Sequence, residues 1–167
     1  MGGVLVVYAT KHGSTREVAE VIAAVLRDDA VTVDVRPARA VRGSLAGWDL
    51  VVLGAPLYSG RWHRDAHRFL KRHREELRRV PVAVFGLGPR EGTDQAWQTS
   101  RSQLDRALSK HGWLSPTACA LFGGADALDR ATSHRRDLRD WAAIQAWADQ
   151  IAQQARTPRK PADAPEP

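Results

Sequence analysis

Hydroxyl side chains and a glycine are concentrated between a short apolar run and the first helical pattern of this chain. Thr10, Ser14 and Thr15 supply hydroxyls there, and Gly13 lets the backbone approach a ligand closely. Free amides in the first turn of a helix and the positive end of its dipole bind an anion, and hydroxyls add donors. Each single Ser or Thr also suits the alternative of an ordinary helix cap. As a set, the residues predict a phosphate site on Thr10, Lys11, His12, Gly13, Ser14 and Thr15.

Two further loops carry residues suited to a flat heterocyclic ligand. The second loop places Tyr58 and Trp62 close together around Gly60, and an aromatic ring there can lie against a heterocycle. For Trp62 the alternative is that it packs as the first apolar residue of the following helix. The third loop is rich in glycine and is expected to be flexible and to face the other side of the same ligand. The candidate cofactor-binding residues of these two loops are Pro56, Leu57, Tyr58, Ser59, Gly60, Trp62, Gly86, Leu87, Gly88 and Pro89.

Other phosphate and metal chemistries are not supported by the residue pattern. The Gly-x-x-x-x-Gly-Lys-Ser/Thr loop of nucleotidases and the Gly-x-Gly-x-x-Gly of dinucleotide sites are both missing. A phospho-accepting receiver domain needs acidic residues after its first and third strands, where this chain has Ala9-Thr10 and Gly54-Ala55. His63 and His67 lie one helical turn apart, yet no third ligand is evident and arginines surround them, so no metal site is predicted. No side chain is predicted to be catalytic, because a bound cofactor would carry the chemistry.

A parallel α/β sheet is the architecture that brings the three loops together. Apolar runs predict buried strands at residues 4–7, 50–53 and 82–85, with an edge strand at 31–35 and a fifth strand at 117–122. Helical patterns are predicted at residues 14–27, 63–78, 95–110 and 136–154. Five strands that alternate with helices indicate a doubly wound parallel sheet. Ligands bind such sheets outside the carboxyl ends of the strands, so the loops after the first, third and fourth strands are expected to form the site.

The composition fits one cytoplasmic domain. The 167 residues are 43% hydrophobic, which is enough for one sizeable core. We expect a domain at residues 1–155 and a disordered, proline-rich tail at 156–167. No apolar run reaches the roughly 18 to 20 residues that a membrane helix needs, and the start lacks the pattern of a secretory signal. Cys119 is the single cysteine, which fits a reducing compartment and argues against disulfide or thiol chemistry.

Positive charge is concentrated in residues 61–79. This segment holds eight Arg or Lys residues against three acids, in a chain of net charge +6. A solvent-exposed helix face is the common meaning of such a run. The alternative is a surface that attracts an acidic protein or substrate, anionic lipid or nucleic acid. Aromatic residues suited to stacking bases are not interleaved with the basic ones, so nucleic-acid binding is not predicted.

Two stretches of the sequence, residues 4–15 and 54–60, resemble the phosphate loop and the flavin-contacting loop of flavodoxins. Most of residues 4–155 fits that family. The resemblance implies a flavodoxin-like three-layer α/β/α sandwich with a five-stranded parallel sheet and FMN as the cofactor. It also implies that the FMN phosphate lies on residues 10–15 and the isoalloxazine between residues 56–62 and 86–92. Flavodoxins usually have Thr before the loop glycine, where this chain has His12, whose imidazole can also donate to a phosphate.

A second set of residues resembles the flavodoxin-like branch that includes menaquinone-dependent protoporphyrinogen oxidases: Gly54-Ala55, Gly60, Trp62-His63 and Asp140-Trp141. Those oxidases carry a long, basic and partly apolar insertion after the fifth strand, whereas residues 123–140 here are polar and rich in Asp and Arg. The resemblance implies an FMN-binding redox protein, either an electron carrier or a flavin-dependent oxidoreductase, which serves a redox partner protein or a small-molecule substrate. The basic segment 61–79 predicts that this partner or substrate is acidic. The alternatives are a protoporphyrinogen oxidase with a quinone acceptor, and a flavin-free regulatory or binding module on the same fold.

Overall fold

Strands and helices alternate along most of the chain. The structure, a computed structural model, describes residues 2–29, 31–127 and 135–156. The predicted tail begins at residue 156, which ends the last helix, and its remainder, 157–167, lies outside the described residues. The elements are β1 (Val4–Tyr8), α1 (Ser14–Asp28), β2 (Val33–Pro37), a 3-10 turn (Ala38–Ala40), β3 (Leu50–Tyr58), β4 (Arg61–Trp62), α2 (Arg64–Arg72), α3 (Arg74–Leu77), β5 (Val82–Leu87), α4 (Asp94–Ser109), β6 (Ala118–Phe122) and α5 (Trp141–Arg156).

Five parallel strands form the sheet in the order β2-β1-β3-β5-β6, which confirms the predicted doubly wound architecture. The half-buried β2 lies at one edge, as its alternating pattern predicts. The two-residue β4 pairs antiparallel with the end of β3. The winding direction reverses between β1 and β3, so the loops after β1, β3 and β5 leave three adjacent strands at one edge of the sheet.

Both faces of the sheet are buried beneath helices. In β1, Leu5 belongs to the apolar layer that contains Phe69 of α2 and Leu104 of α4, whereas Val6 belongs to the layer of α1 and α5. This two-sided burial explains why the inner strands have continuous apolar runs. In the described ranges, no helix is long and apolar enough to cross a membrane.

The basic helix predicted at residues 63–78 is divided into α2 and α3 at His73. His73 is 3% exposed, its Nε2 lies 3.0 Å from the carbonyl oxygen of Val41, and its ring packs on Phe69. In α3, the Glu76 carboxylate accepts hydrogen bonds from the Leu45 amide at 2.6 Å and the Ser44 hydroxyl at 2.8 Å. Contacts to the segment before β3 therefore interrupt a helix that the local pattern predicts as continuous.

The last helix begins at Trp141, five residues later than the prediction of 136. The preceding segment is bound to the loop after β6: the Leu138 amide donates to the Gly124 carbonyl at 3.0 Å, and Asp137 pairs with Ala125 in an isolated bridge. Asp140 then accepts a hydrogen bond from the Ala143 amide at 3.1 Å, which fits a residue that caps the new helix. The sequence pattern predicts too early a start for this helix, because the backbone of residues 137 and 138 is bonded to the loop after β6 instead.

Candidate functional site

The three predicted loops meet around the ring of Tyr58, at the carboxyl end of β3. His12 of the first loop contacts this ring edge-on at a centroid distance of 6.2 Å, and the Lys11 ammonium lies 5.5 Å from the ring centroid. Arg90 of the third loop lies 5.8 Å from the same centroid. Burial raises the pKa of the Tyr58 phenol, and the charge of Arg90 opposes that shift. The half-buried phenol therefore stays neutral near pH 7 and can donate a hydrogen bond.

The amino end of α1 is capped by Gly13, whose φ of 91° is the left-handed conformation that glycine adopts readily. Gly13 offers no side chain to the first-turn amides. Its own amide donates to Oγ1 of Thr10 at 2.8 Å, which closes the loop. Ser14 and Thr15 are the first two helical residues and do not cap the helix, so the cap alternative is not observed for them. The end of α1 is left with amides available to a ligand.

Thr15 carries a buried hydroxyl without a partner. Its side chain is 0% exposed, and its Oγ1 has no hydrogen-bond partner within the described part of the chain. Ser14 beside it is 4% exposed. An unsatisfied buried polar group costs on the order of 1–3 kcal/mol, and such groups are uncommon in native proteins. An anion bound on this helix end gives the hydroxyl an acceptor, so the residues present fit a phosphate.

Arg139 fixes the amino end of α1, and sequence reasoning missed it. Its side chain is 3% exposed, and it donates to the Ser14 carbonyl at 3.3 Å and to the Glu17 carboxylate at 2.9 Å. Asp137 accepts from the same guanidinium at 2.7 and 2.9 Å, and the Trp141 ring lies 4.8 Å from it. The neighbouring Asp-Trp pair was noted in the sequence, but only the fold places Arg139 beside the first loop.

The second loop is the turn of a β-hairpin. Leu57 pairs with Trp62 and Tyr58 with Arg61, so the turn has two residues. Ser59 and Gly60 have φ values of 48° and 78°, and positive φ at both positions is typical of the type I′ hairpin turn. The positive φ of Gly60 is one that glycine adopts readily. The exposed tip formed by Ser59 and Gly60 presents backbone groups next to Tyr58.

Trp62 is a core residue, and its contact with a ligand stays a prediction. It is 2% exposed, and its Nε1 donates to the Ala55 carbonyl at 3.0 Å. Its ring contacts His67 edge-on at 5.6 Å. The alternative of packing at the start of α2 is the one observed. The buried indole of Trp62 therefore helps to hold the hairpin in place.

The third loop is tied to the end of β6. Gly86 and Leu87 belong to β5, and Leu87 is 1% exposed, so its side chain is in the core and does not face a ligand. The Gly88 amide donates to the Phe122 carbonyl at 2.7 Å, and the Pro89 carbonyl accepts from the Gly124 amide at 2.9 Å. Only the loop's outer part, from Arg90 onwards, is exposed.

A cluster of charged residues encloses this outer part. Arg90 lies 3.6 Å from Asp126, and Arg136 donates to Asp126 at 2.9 Å and lies 3.9 Å from Glu91. The hydrogen bonds from Arg136 lower the pKa of Asp126, which keeps this carboxylate ionised. Sequence reasoning missed these residues because they come from separate segments of the chain.

A cavity of about 450 Å³ lies between the second loop, the third loop and α4. Its walls include Ser59 and Gly60 on one side and Gly88, Pro89 and Arg90 on another. No residue of the first loop lines it. Its size is in the range of small-molecule pockets. Side chains of α4 and the residue before it make it polar: Thr93, Gln95, Thr99, Ser100 and Gln103.

The histidines noted in the sequence are engaged in hydrogen bonds. His63 Nδ1 accepts from the Asp65 amide at 3.1 Å and caps α2. His67 Nδ1 lies 2.8 Å from Nε2 of His111, which follows α4, and the rings stack at 5.1 Å. Burial, together with the charges of His111, Lys110 and Lys71, lowers the pKa of His67 to about 4. Among the residues that the structure describes, no group of three or more His, Cys, Asp or Glu is arranged to hold a metal ion.

Comparison with known proteins places this chain among flavin-binding folds. The family model described as "Flavodoxin domain" matches residues 5–138. A curated relative from Escherichia coli strain K12, named protoporphyrinogen IX dehydrogenase (quinone), is 28% identical over 127 residues, which cover 72% of this chain and 67% of the relative.

Solved structures share the architecture at low sequence identity. Oxidised flavodoxin 2 from Bacillus cereus superposes with a TM-score of 0.63 at 19% identity, covering 92% of this chain and 99% of that one. Rubredoxin oxygen:oxidoreductase from Desulfovibrio gigas gives a TM-score of 0.63 at 20% identity, and the match covers 91% of this chain but 35% of that one. This chain thus spans about a third of the Desulfovibrio gigas protein. The predicted flavodoxin-like fold is confirmed.

Proposed function

This chain belongs to the flavodoxin-domain family and is an FMN-binding redox protein, and we propose that its FMN is held by the three loops at the carboxyl edge of the sheet. When bound, FMN supplies transfer of one or two electrons. The protein's own part is to bind the phosphate, cover the ring and set the electrostatic field around it.

The phosphate is assigned to the first loop and the first turn of α1. The partnerless Thr15 hydroxyl carries this proposal, because a phosphate at the uncapped helix end satisfies the hydroxyl and the free amides together. The hydroxyls of Thr10 and Ser14 are close in sequence to the same turn, and Gly13 keeps the helix end open. Lys11 and His12 are exposed and add positive charge or a donor at the rim.

The flavin ring is assigned to the region between the second and third loops. Tyr58 offers an aromatic face, and the tip at Ser59 and Gly60 offers backbone groups to the polar edge of the ring. Gly88 and Pro89, which are fixed to the end of β6, form the opposite wall. The polar cavity between them suits the pyrimidine part of the flavin, which carries hydrogen-bonding groups. Buried residues beneath the site hold its shape: Pro56, Leu57, Trp62, Gly86 and Leu87.

The site's charge indicates an acidic redox partner or substrate. Lys11 and Arg90 flank Tyr58, and exposed arginines continue along α2, which begins just after the second loop. Such a field steers negatively charged molecules to the flavin and weakens with salt. We place the reaction in the cytoplasm, since a lone Cys119 fits a reducing compartment.

Oxidation of protoporphyrinogen with a quinone acceptor is the second candidate function. The name of the Escherichia coli relative, 28% identical over 127 residues, favours it. The FMN-loaded protein should then oxidise the porphyrinogen when menadione is added. Absence of this reaction in protein that is fully loaded and reducible would leave the electron carrier as the function.

The visible absorption spectrum of the purified protein tests the proposed function. We expect two flavin bands after addition of FMN, at one FMN per chain, and bleaching with dithionite. A colourless protein that does not take up FMN would instead identify a flavin-free module on this fold.

A further inference from the structure

Four arginine side chains surround a small concavity on the face of α2 that packs against the 3-10 turn. We call it the arginine notch; its volume is about 150 Å³. Arg39 and Arg42 come from the 3-10 turn and the residues after it, and Arg68 and Arg72 come from α2. Phe69 lies at the base.

The notch carries an excess of positive charge. Among the described residues, Asp65 is the only acid that lines the notch, and it is shared by Arg39 at 3.6 Å and Arg68 at 3.7 Å. In the described ranges, no carboxylate lies within ion-pair distance of Arg42 or Arg72. Four guanidinium groups against one carboxylate leave a net charge of +3 on the lining side chains.

The base of the notch is rigidly packed although its arginines are exposed. Asp65, Phe69 and Arg72 follow one another at spacings of four and three, so they share one face of α2. Asp65 is 9% exposed and Phe69 is 2% exposed. This arrangement differs from an evenly solvated helix face, which is what the charge run predicts from sequence alone, because it is concave and has a buried apolar floor.

The notch is attached to the proposed flavin site. The His63 amide donates to the Pro56 carbonyl at 3.0 Å, so the start of α2 is fixed to the beginning of the second loop. Burial lowers the pKa of His63, and the charges of Arg39 of the notch and Lys11 of the first loop act in the same direction. One imidazole thus lies within electrostatic range of both sites.

We propose that the arginine notch receives a carboxylate side chain of an acidic redox partner protein and so positions that partner beside the flavin. One water occupies roughly 30 Å³ of liquid, so the notch admits one carboxylate and a few waters, not a whole substrate. Guanidinium groups bind carboxylates through paired, charge-assisted hydrogen bonds. Arg64 and Lys71, exposed residues of the same helix, add to the positive field over the larger area that a protein partner covers. The identity of the partner as a redox protein rests on the proposed function.

The test is binding of a short oligoglutamate peptide to the protein in the presence of added FMN, measured by calorimetry at low salt. The test variant is Arg42→Gln with Arg72→Gln. The matched control is Arg78→Gln with Arg79→Gln, which removes the same charge from exposed residues outside the notch. We expect the notch variant to bind the peptide at least about tenfold more weakly and the control to change binding less than about threefold.

The outcomes separate the notch from a general charge effect. Equal weakening in both variants, or none in either, overturns the proposal. Inorganic phosphate that binds the notch as tightly as the peptide also overturns it, since the notch would then be a small-anion site. The flavin spectrum of each sample reports FMN binding independently, so a protein that binds the peptide but no FMN refutes the proposed function and leaves the notch standing.

Discussion

Two helices begin at the same edge of the sheet, and their amino ends are built in opposite ways. α4 follows β5 and is capped by Thr93, whose Oγ1 accepts a hydrogen bond from the Ala96 amide at 3.1 Å in an exposed position. α1 follows β1 and is capped by Gly13, which has no side-chain acceptor. Thr15 follows Gly13 by two residues and lies in the first turn of α1. Its hydroxyl is fully buried and has no partner in the described part of the chain.

The contrast shows that a hydroxyl residue at a helix start has two meanings. At the cap position it completes the helix, as Thr93 does, and leaves little for a ligand. When the residue lies in the first turn and a glycine occupies the cap position, its hydroxyl adds a donor to backbone amides that are already free. The position of the residue relative to the cap distinguishes the two cases, and that position is set by where the strand ends.

The largest effect is expected from closing the open helix end. We predict that Gly13→Asp weakens FMN binding about a hundredfold or more, because a carboxylate near the phosphate repels it. Titration of the purified variant with FMN, followed by absorbance, gives the affinity. Gly13→Asn is the matched control, since Asn has the same shape, no charge and a tolerance for positive φ. Equal losses in both variants would mean that charge is not responsible, and that strain or capping of the free amides by the side-chain oxygen is.

Replacing the Thr15 hydroxyl should weaken FMN binding and at the same time stabilise the FMN-free protein. Thr15→Val keeps the side-chain shape, and we expect about tenfold weaker FMN binding because one charge-assisted hydrogen bond is lost. The FMN-free variant should gain about 1 kcal/mol in free energy of unfolding, because a buried unsatisfied hydroxyl is removed. Urea titration and FMN titration measure the two quantities. Thr117→Val, at the opposite end of the sheet, is the control and should leave FMN binding unchanged; an unchanged affinity in Thr15→Val would show that the phosphate lies elsewhere.

Removing the cap of α4 should destabilise the FMN-free protein, whereas Thr15→Val in α1 should stabilise it. Thr93→Ala is expected to lower the free energy of unfolding by about 1 kcal/mol, because the Ala96 amide loses its acceptor. The measurement is urea denaturation of the FMN-free protein. A gain in stability here would contradict the distinction between the two helix ends.

The last prediction concerns the other end of α4, where His111 pairs with His67, and its effect appears only when the pH is lowered. The folded-state pKa of His67 is about 4, below the ordinary value of 6.5, so the folded protein binds its proton less readily than the unfolded chain. The stability contribution is complete above pH 6.5 and is lost as the pH falls towards 4. We therefore expect the free energy of unfolding to depend less steeply on pH in His67→Gln than in the unchanged protein. Urea titrations of both FMN-free proteins at several pH values across this range measure it. Identical slopes in both proteins would exclude the pair as the cause.

Local sequence patterns sufficed for the sheet and for the edge at which the three loops meet. Runs such as residues 50–53 are apolar because both faces of β3 are buried, and this property is readable from the run itself. The loops after β1, β3 and β5 follow from strand order, since a parallel sheet brings their carboxyl ends together.

What the sequence could not provide depended on distant partners. Trp62 looks equally suited to a ligand and to the core until its Nε1 is seen bonded to Ala55. His73 interrupts a helix because of Val41, a residue 32 positions away. Arg90, Asp126 and Arg136 form a cluster only when three segments are folded together. Contacts between such distant residues leave no recognisable pattern in the local sequence.

The bond between Arg139 and Ser14 spans 125 positions of the chain. During synthesis, the first loop leaves the ribosome 125 residues before the arginine that anchors the start of α1. Contacts this far apart in sequence form late because closing a long loop is entropically costly. The start of α1 is therefore completed only after residue 139 has been made, and a nascent chain that stops before this residue lacks the anchor.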